Sequence, residues 1–369
     1  MGGDGIPVVE SVTAASYEIP TDGPEADGTL SWDKTTAVTV VASAGGKKGL
    51  GWTYAAAAAA DVVENLLAPA VVNRSAADPR GANSAMSKAV RNVGRPGIAA
   101  TAISAVDVAL WDLQAKLLDV PLYRLLGVEG NAVAVYGSGG FTTYDDRQTT
   151  DQVCDWLERC GVDAVKIKIG ESWGTRPERD LSRVELVSRL VGDRGEIFVD
   201  ANGAYSVGQA IRMGHRFAEH GVTWFEEPVS SDDLAGLKAV RGSVAADVAA
   251  GEYGYDLPYF ARMLGAGAVD CLQIDVTRCG GVTEFLRAAA VAAANGFDVS
   301  GHCAPHLHAA FVGAVPNLRH IEYFHDHVRI EETLLFDGAV PARDGCLRPA
   351  GRPGHGLTLR DDADRWRKT

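Results

Sequence analysis

The chain has 369 residues, 46% of them hydrophobic and 22% charged, and a formal net charge of −13. This length predicts two domains, one of them large, and the acidic balance argues against nucleic acid as a partner. No apolar run is long enough to suggest a membrane span. The six cysteines do not have the spacing of a disulfide framework, and the first residues do not resemble a signal peptide. We therefore expect a cytoplasmic protein.

The N-terminal third alternates polar and apolar residues, as strands of an antiparallel sheet do. We expect strands over 8–19, 35–42 and 50–54, and helices that open at 55–60 and continue over 80–93 and 97–118. Residues 20–33, between the first two strands, are polar and carry four acidic residues. This segment is expected to be either a disordered hairpin tip or a mobile lid.

From Ala132 onward, short apolar runs alternate with amphipathic stretches. The runs begin near Val133, Ala164, Ile197, Thr223, Ala246, Val269, Phe297 and Arg319. Eight strands joined by seven helices indicate a parallel barrel, and a polar tail rich in Gly and Pro follows Tyr323 in place of an eighth helix. We therefore predict an α/β fold in which a (β/α)7β TIM-like barrel spans residues 129–328. An α+β capping domain would be built from residues 1–128 and completed by the tail, residues 329–369.

Three acidic residues end successive strands of the predicted barrel at a constant spacing. Asp200, Glu226 and Glu252 are 26 residues apart, and a parallel barrel gathers its C-terminal strand ends on one face. Three unrelated surface acids would not explain this spacing. Converging carboxylates repel one another unless a cation lies between them, and oxygen ligands suit Mg²⁺ better than Zn²⁺. We predict one Mg²⁺ per active site. The neighbouring Glu227 is expected on the opposite strand face, where it would support the ligands or be structural rather than bind the ion.

Other polar residues at strand ends suggest acid–base chemistry. Lys166 and Lys168 share one strand face; near a site with Mg²⁺, each would disfavour the other's charge and lower a pKa until one could accept a proton. A half-exposed strand showing its lysines to water is the alternative. Asp275 and His302 end adjacent strands, and the carboxylate would fix the imidazole tautomer of a general base or acid. Glu322, if protonated, could donate to a developing oxyanion, although its local sequence fits a surface position equally well.

These residues resemble the enolase superfamily, specifically its mandelate racemase/muconate lactonizing enzyme subgroup. The resemblance covers essentially the whole chain and includes the Lys-x-Lys strand, the Asp, Glu, Glu series, residues 275–281 (Asp-Val-Thr-Arg-Cys-Gly-Gly) and the His302 strand. It implies that Lys168 is the base on one face of the substrate, whereas His302, supported by Asp275, serves the other. It also implies that Lys166 offsets the charge of the substrate carboxylate and that Glu322 helps to stabilise an enediolate.

The resemblance extends to candidate substrate contacts. Ser138 matches a carboxylate-contacting position, although serines beside glycine are mostly turn residues. Trp52 and Tyr54 fall where cap loops shape the substrate pocket, with aromatic packing as the alternative. Asn202, two residues after the first predicted metal ligand, completes the expected substrate-binding set.

By this resemblance, the protein is an enzyme that abstracts the proton α to a carboxylate with the help of Mg²⁺ and forms an enediolate. The expected reaction is dehydration of an acid sugar to a 2-keto-3-deoxy acid; racemisation or epimerisation and cycloisomerisation remain alternatives. A catalytically silent metal-binding barrel is an alternative of another class, but it would be expected to have lost one of these residues. An aldolase or a xylose isomerase-like barrel does not call for the Lys-x-Lys strand. We expect a small-molecule partner, no membrane partner and a symmetric homo-oligomer.

Overall fold

The computed structural model describes residues 5–130 and 132–368. Its strands are β1 Ser11–Ala26, β2 Ser31–Ala44, β3 Lys47–Tyr54, β4 Val133–Gly139, β5 Ala164–Lys168, β6 Glu196–Asp200, β7 Val222–Glu226, β8 Asp247–Ala250, β9 Cys271–Ile274, β10 Asp298–Gly301, β11 Leu318–Phe324, β12 Phe336–Asp337, β13 Cys346–Leu347 and β14 Thr358–Leu359. Its α-helices are α1 Ala58–Val62, α2 Ala68–Val71, α3 Pro79–Ala89, α4 Ile98–Leu117, α5 Leu122–Leu125, α6 Asp146–Asp155, α7 Glu171–Gly174, α8 Pro177–Val191, α9 Val207–Ala218, α10 Leu234–Arg241, α11 Leu257–Ala266, α12 Gly281–Ala294, α13 Pro305–Ala309 and α14 His325–Arg329. Single π-helical turns lie at Val63–Leu67, Trp156–Cys160 and Ile330–Leu334, and 3₁₀ turns at Gly192–Arg194, Val312–Ala314 and Ala363–Trp366.

The cap contains an antiparallel sheet in the order β1–β2–β3, which packs on α4. The contact is close because Gly51 has no side chain: a Cβ there would lie 2.1 Å from the carbonyl oxygen of Ala105. Helix α4 has the length and mean hydropathy (1.3) of a membrane span, although Asp107 and Asp112 interrupt its apolar sequence. Since 89% of its most apolar window is buried inside the fold, it is a core helix of the cap.

The β1–β2 hairpin extends further than the sequence predicts. Pairing continues to Glu25 with Trp32 and Ala26 with Ser31, so only residues 27–30 form the turn. The Asp27 carboxylate closes that turn by accepting hydrogen bonds from the backbone N–H groups of Thr29 and Leu30, at 2.6 and 2.7 Å. The expectation of a disordered tip over residues 20–33 is therefore wrong: the hairpin continues to its turn with one irregularity between Pro20 and Glu25, where the register shifts.

The predicted barrel is confirmed. Strands β4 to β11 are parallel and lie in sequence order, and β11 pairs with β4 to close the ring, for example through Phe324 with Ser138. Every connection between consecutive barrel strands carries a helix. The outward faces of the strands are apolar and fully buried beneath the helices, as Val165 and Ile167 on β5 illustrate. This packing gathers the C-terminal ends of β4–β11 on one face, which we call the barrel mouth.

The end of the hairpin lies on the barrel mouth. Thr142, after β4, donates a hydrogen bond to the Asp27 carbonyl (2.8 Å), and the Trp173 N–H donates to the Gly28 carbonyl (2.8 Å). A Cβ at Gly28 would lie 2.7 Å from the carbonyl oxygen of Ile169, directly after Lys168. The hairpin therefore covers the ends of β5 and β6.

The C-terminal tail contacts both the barrel and the cap. Its strand β13 pairs with β4 of the barrel, antiparallel to it. Further on, the His355 N–H donates to Asp112 on α4 (2.8 Å), and the Lys368 N–H donates to the Ser16 carbonyl on β1 (2.8 Å). The tail thus fastens the cap to the barrel.

Candidate active site

Three buried carboxylates meet at the barrel mouth. Asp200 and Glu226 are the last residues of β6 and β7, and Glu252 lies two residues beyond β8. Each offers an oxygen within 4.8 Å of those of the other two. We call these three residues the acidic trio. Carboxylate oxygens at this spacing can hold a hard divalent cation.

Buried oxygens without hydrogen bonds support this fit. Asn202 Oδ1 and Glu227 Oε1 accept none within the residues that the structure describes. Uncompensated buried oxygens are costly, and they suit a site that attracts a cation or its water ligands. Oxygen chemistry and burial in the acidic trio therefore both fit Mg²⁺.

Glu227 lies beside this group, where the expected supporting role remains open, although the expected position on the opposite strand face is wrong. Burial raises its pKa, and the nearby charges of Glu252 and Asp200 raise it further. The alternation of the strand stops at Glu226, because Glu227 has a φ of +37° and turns off the strand. A strand pattern could not reveal this turn, so sequence reasoning missed its place beside the acidic trio.

Both lysines of β5 are buried at the mouth and paired with carboxylates. Lys166 Nζ lies 2.5 Å from Glu226 Oε1 and 2.7 Å from Glu322 Oε1, and Lys168 Nζ contacts Asp200 Oδ2. Burial opposes the charged forms, but these acidic partners outweigh it and raise the pKa of each lysine. Without a cation at the acidic trio, the carboxylates decide the balance; the lowered lysine pKa expected beside a bound Mg²⁺ stays a prediction.

His302 follows β10 and is oriented by Asp275, which follows β9. His302 Nδ1 lies 2.9 Å from Asp275 Oδ2, while Nε2 lies 3.3 Å from Glu252 Oε2 and 3.6 Å from Glu322 Oε2. Burial disfavours the imidazolium, but the acidic surroundings outweigh burial and raise the pKa of His302 well above its ordinary value. With Nδ1 held by Asp275, Nε2 is the ring nitrogen that faces the site, where it can donate or accept a proton.

Glu322 is a hydrogen-bond acceptor in this structure. Its Oε1 accepts from Ser138 Oγ (2.6 Å) and its Oε2 from the Cys303 N–H (2.9 Å). Burial opposes ionisation, but Lys166 and His302 outweigh it and lower the pKa of Glu322. The expectation of a protonated Glu322 that donates to an oxyanion is thus wrong; the carboxylate instead fixes Lys166 and Ser138.

Lys168 and His302 lie on well-separated parts of the mouth. In the closed ring, β5 and β10 are three strands apart through β4 and β11. The other path, five strands long, passes through β6, β7 and β8, which carry or precede the acidic trio. The two candidate proton carriers therefore approach the centre of the mouth from different directions.

The two aromatic residues of the cap, Trp52 and Tyr54, lie in different surroundings. Trp52 is fully buried and packs against Phe336, with ring centroids 4.4 Å apart. The expectation that Trp52 shapes the substrate pocket is therefore wrong, and the alternative of aromatic packing is correct. Tyr54 stacks on His327 at 3.5 Å, and His327 Nδ1 accepts a hydrogen bond from the N–H of Ala304, two residues after His302. Tyr54 thus lies closer to the mouth than Trp52.

Two further residues join the site without a sequence signal of their own. Arg278 links the acidic trio to the His302–Asp275 pair. Its Nη1 lies 3.0 Å from Glu252 Oε1, and its Nε lies 3.3 Å from Asp275 Oδ2. Cys303 places its Sγ 3.4 Å from His302 Nε2. Both adjoin residues that the pattern identifies, but no spacing rule distinguishes them from neighbours that point elsewhere.

Known protein families match both the cap and the barrel of this chain. The family model described as enolase C-terminal domain-like matches residues 148–363, and the model for the mandelate racemase / muconate lactonizing enzyme N-terminal domain matches residues 13–127. The L-talarate/galactarate dehydratase of Salmonella typhimurium is 30% identical over 88% of this chain and 81% of its own.

Solved structures of similar proteins have the same fold. A mandelate racemase/muconate lactonizing enzyme-like protein from Rubrobacter xylanophilus is 44% identical, with a TM-score of 0.94 over 98% of this chain and 100% of its own. A racemase from Streptomyces coelicolor, solved with bound magnesium, is 29% identical, with a TM-score of 0.91 over 98% and 100% of the two chains. The chain therefore belongs to the mandelate racemase/muconate lactonizing enzyme group of the enolase superfamily.

Proposed function

We propose that the protein is a Mg²⁺-dependent enzyme that removes the proton α to a carboxylate, forms an enediolate, and dehydrates an acid sugar to a 2-keto-3-deoxy acid. One observation carries the proposal: Lys168 and His302 reach the barrel mouth from different directions, and the strands of the acidic trio lie between them. A substrate carboxylate held at the acidic trio would present its α-carbon to both proton carriers.

The acidic trio, Asp200, Glu226 and Glu252, would hold the cation. When bound, Mg²⁺ would stabilise the negative charge that develops on the substrate carboxylate and would offset the carboxylate charges that keep the lysine pKa values high. The related racemase solved with magnesium supports this choice of ion.

The residues of the chain would then divide the proton transfers. Lys168 Nζ accepts the α-proton, and Lys166 Nζ places a positive charge beside the substrate carboxylate, where negative charge accumulates. His302 Nε2 gives its proton to the hydroxyl on the next carbon, so that this group leaves as water. The resulting enol tautomerises to the 2-keto acid. Asp275 keeps Nδ1 protonated and Nε2 directed at the site throughout.

Racemisation or epimerisation is the second candidate. The same two carriers would invert the α-carbon if no hydroxyl left, because one would remove the proton and the other would return one from its own side. The related racemase favours this candidate, whereas the related dehydratase of talarate and galactarate favours the first. Cycloisomerisation needs the same residues.

A direct test is incubation with Mg²⁺ and a panel of aldonic and aldaric acids. We expect a 2-keto acid from at least one of them, together with exchange of the α-proton in D₂O by ¹H NMR. Exchange and inversion without keto acid would replace dehydration by racemisation. Mg²⁺ binding without exchange on any acid would favour a catalytically silent barrel.

The division of the chain into residues 1–128, 129–328 and 329–369 is also a proposal. It is supported by the change from the cap helices to β4 at Val133 and by the contacts of the tail with β1 and α4. Strand β13 of the tail also pairs with β4 of the barrel.

A further inference from the structure

A second group of possible metal ligands lies beside the acidic trio and differs from it in chemistry. His302 Nε2, Cys303 Sγ and Glu322 Oε2 form a triangle whose sides are 3.4 Å for N to S, 3.4 Å for S to O and 3.6 Å for N to O. All three side chains are buried at the barrel mouth. One nitrogen, one sulfur and one oxygen thus face a common point.

This triangle has the dimensions of one face of a zinc tetrahedron. With Zn–S near ~2.3 Å and Zn–N and Zn–O near ~2.0 Å, tetrahedral angles put sulfur about 3.5 Å from the other donors and nitrogen about 3.3 Å from oxygen. The observed sides agree to within about 0.3 Å. A sulfur ligand also favours Zn²⁺ or another thiophilic ion over Mg²⁺.

Outer contacts already orient the three donors. The Asp275 carboxylate holds His302 Nδ1, so that Nε2 faces Cys303 Sγ and Glu252 Oε2; a carboxylate on the other ring nitrogen is typical of zinc-bound histidine. Ser138 and Lys166 hold Glu322 Oε1, and the Cys303 N–H donates to Oε2, which lies 3.4 Å from the sulfur. Cys303 has a φ of +53°, an unusual backbone conformation for a residue with a side chain. The triangle is therefore fixed from several sides.

We propose that His302, Cys303 and Glu322 form a second cation site, selective for Zn²⁺ or a similar thiophilic divalent ion. The site adjoins the acidic trio, because His302 Nε2 lies 3.3 Å from Glu252 Oε2, but it uses different donors. The ion binds the thiolate of Cys303 and the unprotonated Nε2 of His302, and any proton that these two atoms carry beforehand leaves to solvent. The ion occupies His302 Nε2. If the proposed function holds, binding of this ion inhibits the enzyme, because Nε2 can no longer carry a proton.

Cobalt(II) provides a test that does not depend on turnover. Purified protein in saturating Mg²⁺, which occupies oxygen-only sites, is titrated with Co²⁺ and followed by absorption. We expect a thiolate-to-cobalt charge-transfer band in the near ultraviolet that saturates at one equivalent and is abolished by Zn²⁺. No such band in the wild-type protein would overturn the proposal.

Substitution locates the site. Cys303→Ser should remove the band and weaken Zn²⁺ binding by at least about tenfold, while Mg²⁺ still raises the melting temperature as in the wild type. Cys154→Ser and Cys346→Ser, which change the two more exposed thiols, should leave the band intact. A band that survives in Cys303→Ser would refute the assignment. Since these measurements need no substrate, they separate failure of this proposal from failure of the proposed reaction.

Discussion

The 2.9 Å contact between His302 Nδ1 and Asp275 Oδ2 determines which ring nitrogen faces Glu252 and Glu322. Burial opposes ionisation of Asp275, but the hydrogen bond from His302 and the charge of Arg278 outweigh it and lower its pKa to about 2. Asp275 is therefore a carboxylate throughout the working pH range, and it can hold the imidazolium form of His302.

Asp275→Asn should reduce turnover by about 10²–10⁴-fold, the usual contribution of a general acid or base, because a neutral amide cannot hold the imidazolium in this tautomer. The loss should come with a shift of the pH–rate profile to lower pH, since His302 loses a negative partner. The double variant with His302→Asn should be no slower than His302→Asn alone. An unchanged pH profile would count against a role for Asp275 in orienting His302.

Lys168→Ala and His302→Asn should each abolish turnover, but for different reasons. Where the α-proton faces Lys168, Lys168→Ala should also stop α-proton exchange in D₂O. His302→Asn should retain that exchange but should no longer eliminate water from the substrate. Far-ultraviolet circular dichroism checks that both variants remain folded. Full activity in either variant would contradict the role proposed for that residue.

Mg²⁺ should stabilise the folded protein through the acidic trio. A ligand at 100 times its dissociation constant adds about 2.7 kcal/mol to the free energy of unfolding. We therefore expect Mg²⁺ to raise the melting temperature and EDTA to reverse the rise. In Asp200→Asn the rise should be largely lost, whereas in Glu64→Gln, which changes an exposed acid of the cap, it should persist. An equal response in Asp200→Asn would place the cation elsewhere.

Glu25 should make stability fall as pH rises. Burial, reinforced by the charge of Asp326, raises its pKa from 4.5 to about 8, so between these values the folded protein holds a proton that the unfolded chain has lost. By linkage, the free energy of unfolding falls as pH rises through this window, by on the order of 5 kcal/mol at most.

Glu25→Gln should therefore flatten the dependence of stability on pH between 4.5 and 8, as measured by urea unfolding at several pH values. Gln keeps an oxygen that can accept the hydrogen bond from Trp32 Nε1, observed here at 2.7 Å. Glu18→Gln, at a partly exposed position on the same strand, is the control and should leave the slope in this window unchanged. A slope that is the same in Glu25→Gln and the wild type would show that Glu25 is already ionised in the folded protein.

The barrel was predictable because its signal is local and repeated. Each apolar run buries a strand, and each run ends at the one face where functional residues can meet, so Asp200, Glu226 and His302 could be placed from their positions in the pattern alone. The lysines of β5 were predictable for the same reason, since alternate residues of a strand share a face.

What the pattern could not supply depends on three-dimensional surroundings. Glu227 turns into the site through an unusual backbone angle, and Trp52 is buried by a tail segment almost 300 residues away in sequence (Phe336 lies 284 residues on). The ionisation of Glu322 is set by Lys166 and His302 together. The polar composition of residues 20–33 likewise concealed the end of a hairpin, which is ordered by the cross-strand pairs near its turn and by contacts with the barrel.

Gly28 brings the hairpin against the carbonyl groups that directly follow Lys168 and Asp200. Any remodelling of this hairpin would press on the peptide units that position Lys168, the proposed base, and Asp200, a proposed metal ligand. Substrate selectivity and catalytic rate should therefore be hard to evolve separately. Exchanging the hairpin between relatives would alter both, unless Gly28 and the backbone that it contacts are transferred together.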